Sequence, residues 1–276
     1  MPELPEVETV KETLKTVILG KTIESIDVFY DKIIHGSTIL EFKSRLEGQT
    51  LRDIGRFGKY LFFKFEDVTL ISHLRMEGKY FIKTRSEPVA KHEHIIFHFT
   101  DKSTLTYHDT RKFGTMELSE PGQEFAAKGL LSMGPEPFDP GFTDTYLKAK
   151  AKQSIRPVKS FLLDQTVVSG LGNIYVDEVL FRAKLHPETC VKNLTYNDYI
   201  AIIEASRAVL SRAVELGGTT IRSYLSSLGV TGRFQNELHV HLREAEPCDL
   251  CGTPIIKIKV GGRGTYVCQT CQKRKG

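Results

Sequence analysis

The chain has 276 residues, of which 40% are hydrophobic and 26% charged, with a net charge of +4 at pH 7. That length and apolar content carry two or more compact units with real cores and exclude a disordered chain. No apolar run approaches the roughly 20 residues that cross a bilayer, and the acidic start at Glu3 and Glu6 is unlike a signal peptide, so a cytoplasmic address is expected.

The opening Met1-Pro2-Glu3-Leu4-Pro5-Glu6 would leave an N-terminal proline beside two carboxylates once Met1 is removed, as is expected before a small second residue. A secondary amine attacks an electrophilic carbon to give an iminium ion directly, and Glu3 and Glu6 could then move protons. Pro and Glu are also good first-turn residues, and Val7, Val10, Leu14 and Val17 recur at helical spacing before Gly20. Both readings stand on the N-terminal residues alone.

From Thr22 to about Leu118, short runs rich in β-branched and aromatic residues predict an antiparallel sandwich or barrel: Ile23 to Phe29, Tyr60 to Phe65, Leu70 to Leu74, Ile95 to Phe99 and Thr104 to Tyr107. Turns are expected at Glu77-Gly78 and Asp101-Lys102. Gly134-Pro135-Glu136-Pro137 through Pro140-Gly141 cannot sit inside a regular element and reads as a linker. Beyond it, Asp144 to Lys150, Val158 to Leu163, Ile174 to Phe181 and Tyr196 to Leu216 have helical patterns, the last opened by a Thr195/Asp198 capping box. Gly217-Gly218 stops that helix, and the stretch to Gly232 reads as a loop free to move over a site.

The strongest chemical signal lies near the end, where Cys248-x-x-Cys251 and Cys268-x-x-Cys271 are separated by sixteen residues. Two such knuckles deliver four thiolates to one tetrahedral ion. One structural zinc is expected, because sulfur fills every position and none remains for a reacting water. Two disulfides suit a reducing compartment poorly, and a redox CxxC leaves the second pair unexplained. Residues Val260 to Thr265 should form a hairpin tip that presents Arg263, and Cys190 should be a buried free thiol.

Several motifs in one order give the chain a resemblance to the bacterial formamidopyrimidine-DNA glycosylases. They are Pro2-Glu3-Leu4-Pro5-Glu6-Val7-Glu8-Thr9, Gly58-Lys59-Tyr60-Leu61, Ser72 to Gly78, Asp109 to Gly114, Gly170 to Glu178, and Gly262-Arg263-Gly264-Thr265 with its cysteines. The resemblance implies an α+β multidomain fold. An N-terminal helix plus antiparallel β-sandwich would occupy 1–133, a helical helix-two-turn-helix domain 134–232, and a zinc β-ribbon 233–276. It implies excision of 8-oxoguanine and formamidopyrimidines from duplex DNA, followed by strand cleavage through β,δ-elimination, in a nucleoid-associated cytoplasmic monomer. The partner would be double-stranded DNA holding an oxidised purine or an abasic site.

By the same resemblance Pro2 attacks the sugar C1′ and Glu3 is the acid/base, with Glu6 supporting from behind. Lys59 serves proton transfer and phosphate contact, while Arg263 and Asn173 grip the phosphates around an everted nucleotide. Arg263 also matches a proton donor of the final elimination. Met76, Arg111 and Phe113 match the residues that fill the vacated stack, and His73 and His92 match DNA-backbone contacts. Residues Gly217 to Tyr224 match a loop that covers the everted base. One departure stands out: His241-Leu242-Arg243 replaces the Tyr-Gly-Arg of many relatives, which puts the tyrosine's phosphate contact in doubt. The nearest rival is the related endonuclease for oxidised pyrimidines; Leu4 and the Met76/Arg111/Phe113 set favour purines. A non-catalytic DNA-binding protein is the rival from another class.

Overall fold

The computed structural model describes residues 1–152, 154–219 and 232–276. The chain divides into two compact units, one of Met1–Leu131 with Thr219–Gly232 and the other of Ser132–Gly218 with Arg233–Gly276. Among the described residues, no helix is long and apolar enough to cross a membrane.

The first unit opens with α1 (Leu4–Ile18), whose Leu4, Val7, Leu14 and Ile18 form the buried stripe expected of an amphipathic helix. The chain leaves it through Gly20 at φ +78. Next come β1 (Ile23–Val28), β2 (Ile34–His35), α2 (Ile39–Leu46), β3 (Asp53–Phe57), β4 (Tyr60–Lys64), β5 (Thr69–His73), β6 (Lys79–Thr84), β7 (Glu93–Phe99), β8 (Ser103–His108) and β9 (Thr115–Ser119). They pair into a four-stranded sheet, β1-β7-β8-β6, and a five-stranded sheet, β2-β9-β5-β4-β3. Both contribute to one apolar core, with Phe63 of β4 against Tyr80 of β6 at 5.4 Å between ring centroids. A sandwich follows from that shared face. Among the described residues its one parallel pairing is the two-residue bridge of β2 to β9, where Ile34 faces Met116 and His35 faces Glu117. Helix α2 interrupts the predicted run of strands. Its signal is a Thr-x-x-Glu start, and Thr38 Oγ1 accepts the Glu41 N–H at 3.2 Å.

The second unit contains α3 (Asp144–Ala151), α4 (Val158–Leu162), α5 (Asn173–Arg182) and α6 (Tyr196–Glu215), followed by the hairpin β10 (Ile256–Val260) and β11 (Arg263–Val267). Thr195 and Asp198 form the expected capping box of α6. Helix α5 buries Ile174 through Phe181 without a break, as a helix surrounded by packing must. The hairpin shares a small core with it, in which Phe181, Val240, Ile255 and Tyr266 enclose Cys248 and Cys268. Cys190 is half-buried, and its thiol donates to the Ile155 carbonyl at 3.2 Å.

Candidate active site and nucleic-acid interface

In the first unit, the chemistry expected of the N-terminus is held by a reciprocal cap. Glu3 is the N-cap of α1: its carboxylate accepts the Glu6 N–H, and its own N–H donates to Glu6 Oε2 at 2.9 Å. Pro2 and Glu3 are buried while Met1 is exposed, so loss of Met1 would free the amine of a buried proline whose next residue is the buried Glu3. The other Glu6 oxygen accepts from the Thr219 N–H at 2.8 Å and the Thr219 hydroxyl at 3.0 Å. Glu6 therefore ties the start of α1 to Thr219. The loop expected to cover a base enters at Thr219, but 220–231 lie outside the described residues.

Lys59 sits at the tight turn between β3 and β4, where Gly58 takes φ +56, and it is only 5% exposed. Arg56 braces this turn from within: Nη1 donates to the Gly58 carbonyl at 2.9 Å and Nε to Glu8 of α1 at 2.6 Å. Burial pushes the Glu8 carboxyl up, but hydrogen bonds from Lys11 and Arg56 outweigh it and hold the group below its ordinary value.

Two further loops meet at the Tyr107 hydroxyl. A Cβ on Gly78 would lie 2.4 Å from that oxygen, and one on Gly114 only 1.6 Å, so both glycines are there for close approach. The first loop carries Met76 and the second Arg111 and Phe113, so the structure brings the two loops that bear these residues to one point. Asp109 shapes the second loop by accepting the N–H groups of Arg111, Phe113 and Gly114 at 2.9, 3.0 and 2.8 Å. Its place before a short run ending in glycine is the sequence signal of such a turn. Phe113 is 52% exposed and Met76 37%, with the Arg111 guanidinium 4.8 Å from the Phe113 ring centroid. Exposed apolar side chains on braced loops, capped by a cation, are equipped to enter a base stack.

His73 and His92 occupy different settings beside these loops. His73 is 7% exposed, and its Nδ1 accepts the Arg75 N–H at 2.9 Å, so in the neutral ring Nε2 carries the proton as a donor. Burial first, then the Arg75 and Lys59 charges, push its pKa down to about 3. His92 is half-buried in a left-handed conformation, φ +71, and its carbonyl accepts the Asp109 N–H at 3.0 Å.

In the second unit, Asn173 opens α5 after a turn in which Gly170 takes φ +93. Its Nδ2 donates to the Gly264 carbonyl at 3.1 Å, while its Oδ1 is buried without a partner among the described residues. Arg263 is exposed at the start of β11, adjoining the Gly261-Gly262 tip, and makes no side-chain ion pair among the described residues. Helix α5 has no acidic residue in its first turn, so its N-terminus and Arg263 together favour an anion. His241 is buried, with Nδ1 2.9 Å from Asp177. Leu242 is 68% exposed at φ +65, a backbone conformation that explains why glycine suits this position.

The four cysteines fit zinc. Their sulfurs all lie within 4.8 Å of one another, with Cys248 to Cys271 at 3.9 Å and Cys251 to Cys268 at 3.5 Å. Zinc–sulfur bonds of roughly 2.3 Å put the edge of a tetrahedron near roughly 3.8 Å. An all-thiolate set leaves no open position, so the ion holds the ribbon together and takes no part in chemistry.

Comparison with known proteins decides what these units are. The N-terminal domain of formamidopyrimidine-DNA glycosylase matches residues 1–116, the H2TH domain of the same enzymes residues 133–225, and a zinc finger found in FPG and IleRS residues 245–274. The chain belongs to the formamidopyrimidine-DNA glycosylase family. The Bacillus licheniformis member is 51% identical over 99% of this chain and 100% of its own length, and that of Oceanobacillus iheyensis 49% over 100% and 99%. A crystal structure of Lactococcus lactis Fpg with abasic-site DNA is 42% identical and superposes with a TM-score of 0.92, covering 99% of this chain and all of that one. The wild-type enzyme bound to DNA containing N7-benzyl-Fapy-dG gives 0.93 at 43% identity with the same coverage. The four-cysteine ribbon and its structural zinc are part of this family assignment.

Proposed function

We propose that the chain excises oxidised purines, 8-oxoguanine and formamidopyrimidines, from duplex DNA through a Schiff base on Pro2 and then cleaves the strand at the abasic site. As a member of its family it is a base-excision-repair DNA glycosylase. The observation that carries the mechanism is the reciprocal Glu3–Glu6 cap, which seats Pro2 beside a buried carboxylate at the end of a rigid helix. After Met1 is lost, the Pro2 nitrogen attacks C1′, the C1′–N9 bond breaks, and the base leaves with a proton. Glu3 supplies protonation at the ring oxygen, so that the sugar opens to an iminium ion. Loss of a C2′ proton expels the 3′ phosphate, and a second elimination expels the 5′ phosphate. Lys59 in its buried turn assists proton transfer at the same end of the sandwich unit. Arg263 and Asn173 hold the phosphates, and Arg263 is the candidate donor in the last step. His73 Nε2 and His92 supply backbone contacts. Met76, Arg111 and Phe113 fill the stack, Arg111 offering its donor fork to the unpaired cytosine.

We further assign 1–133 to a catalytic domain, 134–232 to a helix-two-turn-helix domain and 233–276 to the zinc ribbon, in a cytoplasmic, nucleoid-associated monomer. The test is borohydride trapping on a duplex with 8-oxoguanine opposite cytosine, with mass spectrometry to locate the adduct. A reduced DNA adduct on Pro2 supports the whole mechanism. No adduct, with Met1 removed and zinc bound, overturns it; dominant excision of thymine glycol overturns the purine assignment.

A further inference from the structure

We propose that Asp177 is a positioning residue for the Arg263 hairpin, acting through Lys159 and His241. The proposal rests on the reading of Arg263 and Asn173 as phosphate-binding groups. Asp177 projects from α5 with no exposed surface, and Lys159 of α4 is equally buried. Asp177 Oδ1 accepts from Lys159 Nζ at 2.7 Å, and Oδ2 from His241 Nδ1 at 2.9 Å and the Tyr266 N–H of β11 at 3.4 Å. The lysine then reaches past the carboxylate to the hairpin, where Nζ donates to the Gly264 carbonyl at 3.1 Å. Asn173 donates to that same oxygen. The carbonyl next to Arg263 is thus held from two helices.

The need for such a clamp is visible in the hairpin. Gly261 and Gly262 both take positive φ, so the tip that precedes Arg263 carries two consecutive residues of the most permissive type. A Cβ on Gly261 would lie 2.4 Å from Ser160 Oγ, which puts the tip directly on the α4 residue next to Lys159. Apolar side chains would fill this space with less desolvation cost than a buried ion pair. What charges add is direction: a carboxylate with three donors, and an ammonium bonded to one particular carbonyl, allow a single register of hairpin on helix. His241 completes the arrangement by covering the carboxylate from the segment before the ribbon, its ring edge-on to Tyr266 at 5.0 Å. The residue that departs from the family pattern therefore has an inward-facing partner.

The test is a double-mutant cycle in the full-length, zinc-loaded protein, measuring the Kd for a duplex with a tetrahydrofuran abasic analogue. Asp177→Asn removes the charge and keeps the shape. It should weaken binding about tenfold when Arg263 is present and by less than about twofold in an Arg263→Ala background. Because Asp177→Asn leaves Lys159 buried without its counter-ion, the apolar pair Lys159→Met with Asp177→Leu is measured alongside. It should melt no lower than the parent yet show the same Arg263-dependent loss. Equal weakening in both backgrounds, or none in either, overturns the proposal. If Arg263→Ala alone binds like the parent, the phosphate reading fails first and separately.

Discussion

Glu8 and Arg56 form the ion pair that ties helix α1 to the turn carrying Lys59: the Nε–Oε2 distance is 2.6 Å, and the two side chains are 19% and 9% exposed. The same guanidinium holds the Gly58 carbonyl, so the two ends of the catalytic apparatus proposed for the first unit share one brace. Replacing Arg56 by methionine keeps the packing stem and removes both bonds. The expected outcome is a stability loss of about 2 kcal/mol in urea unfolding, with single-turnover base excision slowed about tenfold while DNA affinity changes little. Excision at the parental rate would mean that Lys59 is placed without this brace.

His73 gives a pH dependence of definite sign. Its folded pKa of about 3 lies far below the ordinary 6.5, so between those values the unfolded chain binds a proton that the folded chain refuses. Folding stability therefore falls as pH drops below 6.5, by about 1.4 kcal/mol per unit from this group. Urea unfolding at pH 7, 6 and 5 should show a loss that steepens below 6.5, and His73→Gln should make it shallower by up to about 1.4 kcal/mol per unit. An NMR titration in which the His73 ring protonates near 6.5 in the folded protein would refute the buried assignment.

At Gly114 there is no room for a methyl group, since an added Cβ would overlap the Tyr107 hydroxyl. Gly114→Ala should cost about 3 kcal/mol or displace the Asp109 loop, and with it Phe113 and Arg111. Combining it with Tyr107→Phe removes the clashing oxygen and should recover part of the loss. If 8-oxoguanine excision survived Gly114→Ala at full rate while melting fell, the loop would have no part in recognition.

What was legible from the residues depended on whether the physics was local. The zinc ligands, the α6 capping box and the strands around Phe62, Ile71 and Phe97 announced themselves by spacing and alternation. Helix α2 did not, because Ile39 and Leu40 suit a strand equally well and only the Thr38 cap tips the balance. Strand β3 was hidden for the opposite reason: Gly55 and Arg56 weaken its pattern, and pairing of Ile54 with Phe63 of β4 supplies what propensity lacks. Partners distant in sequence, such as Glu8 with Arg56 or Asp177 with His241, leave no local trace at all. The motif resemblance supplied the candidate site residues; their supports had to be seen.

Leu242 holds a left-handed backbone with its side chain 68% exposed, so it contributes strain and little packing. Leu242→Gly should raise stability by about 0.5–1 kcal/mol, the relieved strain exceeding the entropy that glycine adds to the unfolded chain. Thermal melting of the zinc-loaded protein checks it; a lowered melting point would show that the exposed leucine makes a contact worth more than the strain.

Removing zinc should act on the second unit alone. The ribbon core is small, and two of its buried members, Cys248 and Cys268, are themselves ligands, so without the ion four thiols that take back protons and share no common partner replace the bonds that close it. Tyr266 and Val267 then lose their enclosure, and the Gly264 carbonyl leaves Asn173 and Lys159. The sandwich core, which runs from Val7 to Met116 and contains no ribbon residue, has no reason to respond. Chelation should therefore lower affinity for a lesion duplex at least about tenfold and flatten the salt dependence of what binding remains, since one or more phosphate contacts are gone. Circular dichroism of the β-rich first unit should be preserved. If chelation abolished base release and left DNA binding untouched, the ion would be acting in the chemistry, and its structural assignment would fall.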